Sequence, residues 1–399
     1  MVEALNRSFC FTQRGMTEML KTVQDLSFPS QDASMILRCL KNEIGFTPFS
    51  EYIKRYVYMK SGMTGSYRMI PQTQYQAIIV DAFRETGTPC SMEDTKTPIQ
   101  TRIKSWLSQA RAGRSIILLL GFGLSMSRED VNHFLTCSIH DHRLDPDDPL
   151  EAICGYCYDH RYRYAKFKQL RQIYLENPAG ADMELIMSLQ PARRKASLLI
   201  AREDYHLLHS LIAASQPDSI TPMQQKISDT FFDLYRQVSQ LLLSGTTPRA
   251  RQDITEERPS AIVPSDLEKV LCASIPRDRH GNLVSELHSS LKQELAGKRF
   301  SRQHLYELLN HKILPNRYDL ITLHFLVSSF RNEHNIDPKA RYLRFLRETD
   351  ASLQSCGFGP LYTADPYECF ILMCILSVDP LGTYSDVLEL SYRDIGVVI

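Results

Sequence analysis

Apolar residues recur along most of the chain at spacings of three and four, the repeat of one face of an α-helix. Phe49, Ile53, Tyr56 and Val57 follow this spacing, with Ser50 as the expected N-cap, and Leu234, Val238, Leu241 and Leu242 follow it again. Alternating, strand-like runs are few, so the pattern predicts an all-α protein. Two polar stretches break it: TGTPCSMEDTKTP at 86–98, and SGTTPRARQDITEERPSAIVP at 244–264, where Pro248, Pro259 and Pro264 interrupt the chain. The expected organisation is a helical region over residues 1–90, a first helical module over 91–245, a linker over 246–263 and a second helical module over 264–399.

The two modules repeat the same words in the same order. Asp148-Pro149-Leu150-Glu151 precedes Cys157, and Asp365-Pro366-Tyr367-Glu368 precedes Cys374, each residue 217 positions from its counterpart. Upstream, Arg114 before IILLLGF matches Arg317 before YDLITLHF at a separation of 203, so the second copy carries about 14 more residues between these landmarks. A duplicated helical unit is the expectation. The Asp-Pro-x-Glu words read as helix starts: Asp caps, Pro fits the first helical position, and Glu at the third position returns a bond to the cap.

Composition narrows the classes of function. In 399 residues, 46 Lys and Arg balance 46 Asp and Glu, with 43% hydrophobic and 23% charged residues, values of an ordinary globular chain. Disorder, collagen and coiled coil are excluded, and a net charge of zero removes the simplest argument for wholesale binding to nucleic acid or anionic membrane. The first twenty residues lack the apolar core of a signal peptide, and the most apolar runs, 116–126 and 370–378, are short of the roughly 20 residues of a spanning helix. A cytoplasmic location without membrane contact is expected.

Local charge is another matter. Between 291 and 317 Lys292, Lys298, Arg299, Arg302, Lys312 and Arg317 stand against Glu294 and Glu307, a local +4. Between 95 and 114 Lys96, Arg102, Lys104, Arg111 and Arg114 meet no acid, a local +5. Cations clustered this way suit phosphate contacts; a solvated basic helix face is the competing reading.

The stretch from Leu291 to Leu326 has the rhythm of two short helices, a tight connection and a third helix. Ser301, Leu305 and Leu308, then Asn310-His311-Lys312, Pro315, Leu320 and Leu323 resemble the lambda-repressor-like helix-turn-helix family over about 40 residues. The resemblance implies a recognition helix opened by Ser301, with Arg302 and Gln303 reaching base edges, Tyr306 nearby, and Lys312 or Arg317 on phosphate. Arg102, Lys104, Arg111 and Arg114 are the corresponding candidates of the first module. Two departures stand out: Lys298-Arg299-Phe300 lengthens the turn after Gly297, and His311 takes the place of the family's glycine. Further words, among them PFSEYIKRYVY and LLLGFGLSMSREDVNHFL, are similar to a group of bacterial proteins with no assigned activity, which implies a bacterial cytosol and a shared multi-module build.

Catalytic words are missing. GFGLSM at 121–126 lacks the third glycine of a dinucleotide loop and lies in a helix-like apolar run, where Gly121 and Gly123 suit close helix packing. There is no phosphate-loop word, no His-Glu-x-x-His and no Gly-x-Ser-x-Gly. Trp106, Tyr156, Tyr158, Tyr162 and Tyr164 read as helix packing more than as a stacking surface. The ten cysteines sit mostly in apolar runs, as reduced core thiols do. His140, His142, Cys154 and Cys157 have zinc-like residue types, but Cys157 repeats at Cys374 without a matching histidine pair, so no metal and no cofactor is expected. The leading expectation is a non-enzymatic bacterial regulator that binds double-stranded DNA, with room for a homodimer. The alternative is a helical scaffold for an acidic protein partner.

Overall fold

The computed structural model describes residues 33–42, 48–93, 96–176, 202–214, 220–245, 267, 270–271, 302–331, 337–362 and 365–393. These residues are all-α and contain no strand. Their helices are α1 (Ala33–Asn42), α2 (Phe49–Lys60), α3 (Gln72–Thr86), α4 (Ile99–Trp106), α5 (Arg114–Gly123), α6 (Arg128–Cys137), α7 (Pro149–Asp159), α8 (Tyr164–Glu176), α9 (Arg202–Ala214), α10 (Pro222–Gly245), α11 (Arg302–Leu309), α12 (Arg317–Phe330), α13 (Pro338–Ser355), α14 (Pro366–Leu376) and α15 (Pro380–Arg393). The expected linker at 246–263 lies outside the described residues, as do Ser301 and the turn before it. No helix among the described residues is long and apolar enough to cross a membrane.

Two compact units result, residues 47–225 and residues 1–46 with 226–399, so the boundaries fall between α1 and α2 and within α10. The expected boundary near residue 90 is not one of them. α2 packs on α3, and α3 packs on both α4 and α5, so these helices belong with the first module. Tyr56 explains part of this: its ring meets Phe134 edge-on at 5.6 Å and its hydroxyl donates to Asp130 Oδ2 at 3.1 Å. α1, by contrast, packs on α14 and α15 in the other unit. α10 does not simply close the first module, since beyond Lys226 its Phe232 ring lies 4.9 Å from the tilted His311 ring and its Thr230 meets the Cys356 thiol at 3.4 Å. Nor is Ser50 an N-cap: α2 opens one residue earlier, behind Pro48, and Ser50 is buried in its first turn.

Within each unit the repeated segments pack alike. α5, α6, α7 and α8 each contact the next, and α5 also reaches α7; α12, α13, α14 and α15 do the same, with α12 on α14. In the second unit the middle helix α14 is the most enclosed, because apolar residues surround it instead of striping one side. Every residue from Tyr367 to Ser377 is buried. In the first unit close approach depends on glycine: a Cβ on Gly123 would overlap the Phe83 ring, and one on Gly121 would lie 2.7 Å from the Tyr158 ring. The GFG word therefore serves helix contact.

Candidate nucleic-acid interface

α11 is a two-turn helix whose inner face is Leu305 and Leu308, both buried. Because helical neighbours three apart share a side, Gln303 and Tyr306 fall on the outer one. Both are exposed, Tyr306 at 49%. Gln303 Nε2 donates to Glu307 Oε1 at 2.6 Å, and the Lys312 ammonium, also exposed, sits 5.4 Å from the Tyr306 ring centre. Arg302 opens the helix, and its side chain lies outside the described residues.

The turn after α11 takes the form of a Schellman motif. Lys312 N–H donates to Glu307 O at 2.9 Å and His311 N–H to Leu308 O at 3.0 Å, with His311 left-handed at φ 54°. Histidine thus adopts the backbone that glycine favours. α11 is then tied to α12 by an interaction invisible in linear sequence: His304 Nε2 lies 2.8 Å from Asp319 Oδ1, and Asp319 also closes a capping box with Asn316. The hydrogen bond to Asp319 raises His304 above the ordinary histidine value, against the effect of burial.

In the first module α4 buries Ile103 and Trp106, while Lys104 and Arg111 are exposed and Arg102 is half-buried. Lys104 and Arg111 thus face solvent. Arg114 and Arg317 do not, and their assignment to phosphate is corrected by the structure.

Arg317 is 2% exposed. Its Nε and Nη2 donate to the two oxygens of Glu368 at 2.7 and 2.9 Å, its Nη1 to Gly359 O at 2.5 Å, and its Nη2 also to Pro360 O at 2.7 Å. Arg114 repeats every contact: both oxygens of Glu151, His142 O at 2.7 Å and Arg143 O at 2.8 Å, with Asp141 3.2 Å from Nη1. Glu151 and Glu368, His142 and Gly359, and Arg143 and Pro360 are each 217 positions apart, the separation of the Asp-Pro words. The same carboxylates accept the N–H of Asp145 at 2.8 Å and of Tyr362 at 2.6 Å, again 217 apart. One helix on, Asn132 Oδ1 accepts Leu144 N–H at 2.9 Å and Asp350 Oδ1 accepts Leu361 N–H at 2.7 Å.

The duplicated feature is thus a clamp: an arginine at the start of the first helix grips a glutamate and two carbonyls of the loop before the third. A planar, five-donor guanidinium suits this fork geometry. Burial disfavours the Arg317 cation, and Glu368 more than compensates, so its pKa is raised. This also corrects the expected second half of the capping word. Asp148 and Asp365 do cap their helices, accepting from Glu151 N at 2.9 Å and Glu368 N at 3.0 Å, but the glutamates turn to arginine instead of back to the cap.

Sequence reasoning also missed a buried polar group behind the tyrosine-rich segment. Lys166 Nζ and Asp204 Oδ2 are 2.5 Å apart, and Tyr156 donates to the same carboxylate at 2.8 Å. Its parts come from α7, α8 and α9, and Asp204 had no pattern of its own to reveal it. Cys154 and Cys157 are fully buried; burial raises both thiols, Cys157 to about 12. His140 is buried in a left-handed turn, and His142 Nδ1 lies 2.8 Å from Arg143 O. Among the described residues no group of three or more His, Cys, Asp or Glu converges as metal ligands.

Comparison of the chain with protein-family models, with curated proteins and with solved structures returned no match.

Proposed function

We propose that this chain is a non-catalytic DNA-binding regulator that meets double-stranded DNA through the outer face of α11, with Lys104 and Arg111 of the first module adding phosphate contacts. The observation that carries the reading is the exposure of Gln303, Tyr306 and Lys312 on the side of α11 away from Leu305 and Leu308. A short helix anchored by an apolar face presents its polar residues to a groove, and Gln at such a position suits adenine edges. The clamp arginines serve the frame that holds α12 and contribute nothing to DNA binding.

The test is titration of a labelled duplex with the full chain at several salt concentrations, beside an Arg302→Ala/Gln303→Ala/Lys312→Ala variant of unchanged helicity. Affinity should fall steeply with salt, and the variant should lose more than ~1–3 kcal/mol if a bidentate base contact is broken. Equal binding by the two proteins ends the proposal.

One observation favours a second reading, a scaffold for an acidic protein. Leu314, in the turn after α11, is 45% exposed close in sequence to Tyr306 and Lys312, and apolar groups beside a cation suit a protein partner. Purification from the host after nuclease treatment, with a stoichiometric acidic protein retained, would favour it.

A further inference from the structure

A cleft of about 730 Å³ opens in the first unit between the loop after α3 and the first turns of α8. Its volume lies in the range of small-molecule sites, roughly 300–1,000 Å³. Pro89, Met92 and Ile99, all partly exposed, give it an apolar wall backed by the buried Phe167, and the half-exposed Cys90 thiol, held 3.6 Å from Thr97 O, lines the loop side. Lys168 and Arg171 border the same space from successive positions on one face of α8. Both are exposed, and neither makes an ion pair with any described residue. Glu93 brings one carboxylate to the rim, which leaves one positive charge in excess among the described residues that line the cleft.

We infer that this cleft binds an amphipathic organic anion, an apolar body with a carboxylate or phosphate head. The apolar wall takes the body and removes it from water, while Lys168 and Arg171, like charges three residues apart, gain from an anion placed between them. Inorganic phosphate alone leaves most of the volume and the whole apolar wall unused. The inference is independent of DNA binding and concerns different residues.

Decanoate and decyl phosphate, below their micelle concentrations, are the probes, with decanol and inorganic phosphate as controls. Binding to the full-length protein is followed by calorimetry and by protection of Cys90 from iodoacetamide, read by mass spectrometry on the peptide that contains it. Both amphipathic anions should bind saturably and slow Cys90 alkylation several-fold, with decanol and phosphate at least about ten-fold weaker. Lys168→Ala/Arg171→Ala, at exposed helix positions, should weaken binding about ten-fold with helicity unchanged, and Ile99→Asp should weaken it further by placing a carboxylate in the apolar wall. Absence of saturable binding, binding of decanol as tight as decanoate, or undiminished binding by the Lys168/Arg171 variant would overturn the inference.

Discussion

Arg317 and Glu368, 51 positions apart in sequence, form a doubly hydrogen-bonded ion pair with almost no access to solvent, and Arg114 and Glu151 form its counterpart in the other unit. Removing one partner of such a pair strands the other charge in a low-dielectric interior. Arg317→Met should therefore cost about 3–5 kcal/mol in urea unfolding, and Arg317→Met/Glu368→Leu should recover much of that loss. Arg114→Met should cost less, because Arg114 and Glu151 are both more exposed than Arg317 and Glu368. Equal losses at the two arginines would show that burial does not set the magnitude.

The first module offers a distinct test of DNA binding. If Lys104 and Arg111 meet phosphates, Lys104→Ala/Arg111→Ala should reduce the slope of log affinity against log salt by about 1.8, roughly 0.9 for each phosphate that is no longer neutralised. A slope equal to that of the parent protein would assign both residues to a solvated face.

The helix-contact role of glycine can be checked at Gly123. A methyl group there meets the Phe83 ring, which itself packs 5.7 Å from Trp106, so relief requires movement in a filled core. Gly123→Ala should destabilise the first unit by about 1–3 kcal/mol despite alanine's better helix propensity. Stabilisation in thermal or urea unfolding would refute the close approach.

His304 makes the attachment of α11 to α12 sensitive to pH. Its pKa is raised in the folded state, so the stabilisation is full below the ordinary histidine value of about 6.5 and fades as pH rises through the higher folded value. The stability difference between the parent and His304→Gln should be larger near pH 6 than near pH 9, as measured by urea midpoints at about those two values. A difference that is constant or grows with pH would contradict the Asp319 contact as its source.

The buried thiols should be inert. With Cys157 pushed to about 12, roughly one molecule in ten thousand carries its thiolate at about pH 8, and burial raises the Cys154 and Cys374 thiols as well. Native-state alkylation followed by peptide mass spectrometry should label Cys90 well before these three. Early labelling of Cys157 would mean that α7 opens to solvent.

The helical class was legible because helix formation answers to spacing within a few residues: Leu305 and Leu308 lie inward as their period requires, and Asp148 and Asp365 cap the helices their words announce. The duplication was legible too, since identical separations survive in linear order. The role of its most regular members was not. Arg114 and Arg317 counted as free positive charge, and Glu151 and Glu368 as caps, because a charge in a sequence carries no record of what faces it. The co-repetition of Arg and Glu was the available signal.

Local sequence alone determined the helical class, the Asp-Pro starts of α7 and α14, the apolar side of α11 and the repetition of these words, because these depend on neighbours along the chain. Only the tertiary structure decided that α2 and α3 join the first module, that His304 answers Asp319, and which cations still face water. The physical reason is range: capping and periodicity act over one or two turns, whereas desolvation and ion pairing depend on groups brought together from 37 or 51 residues away.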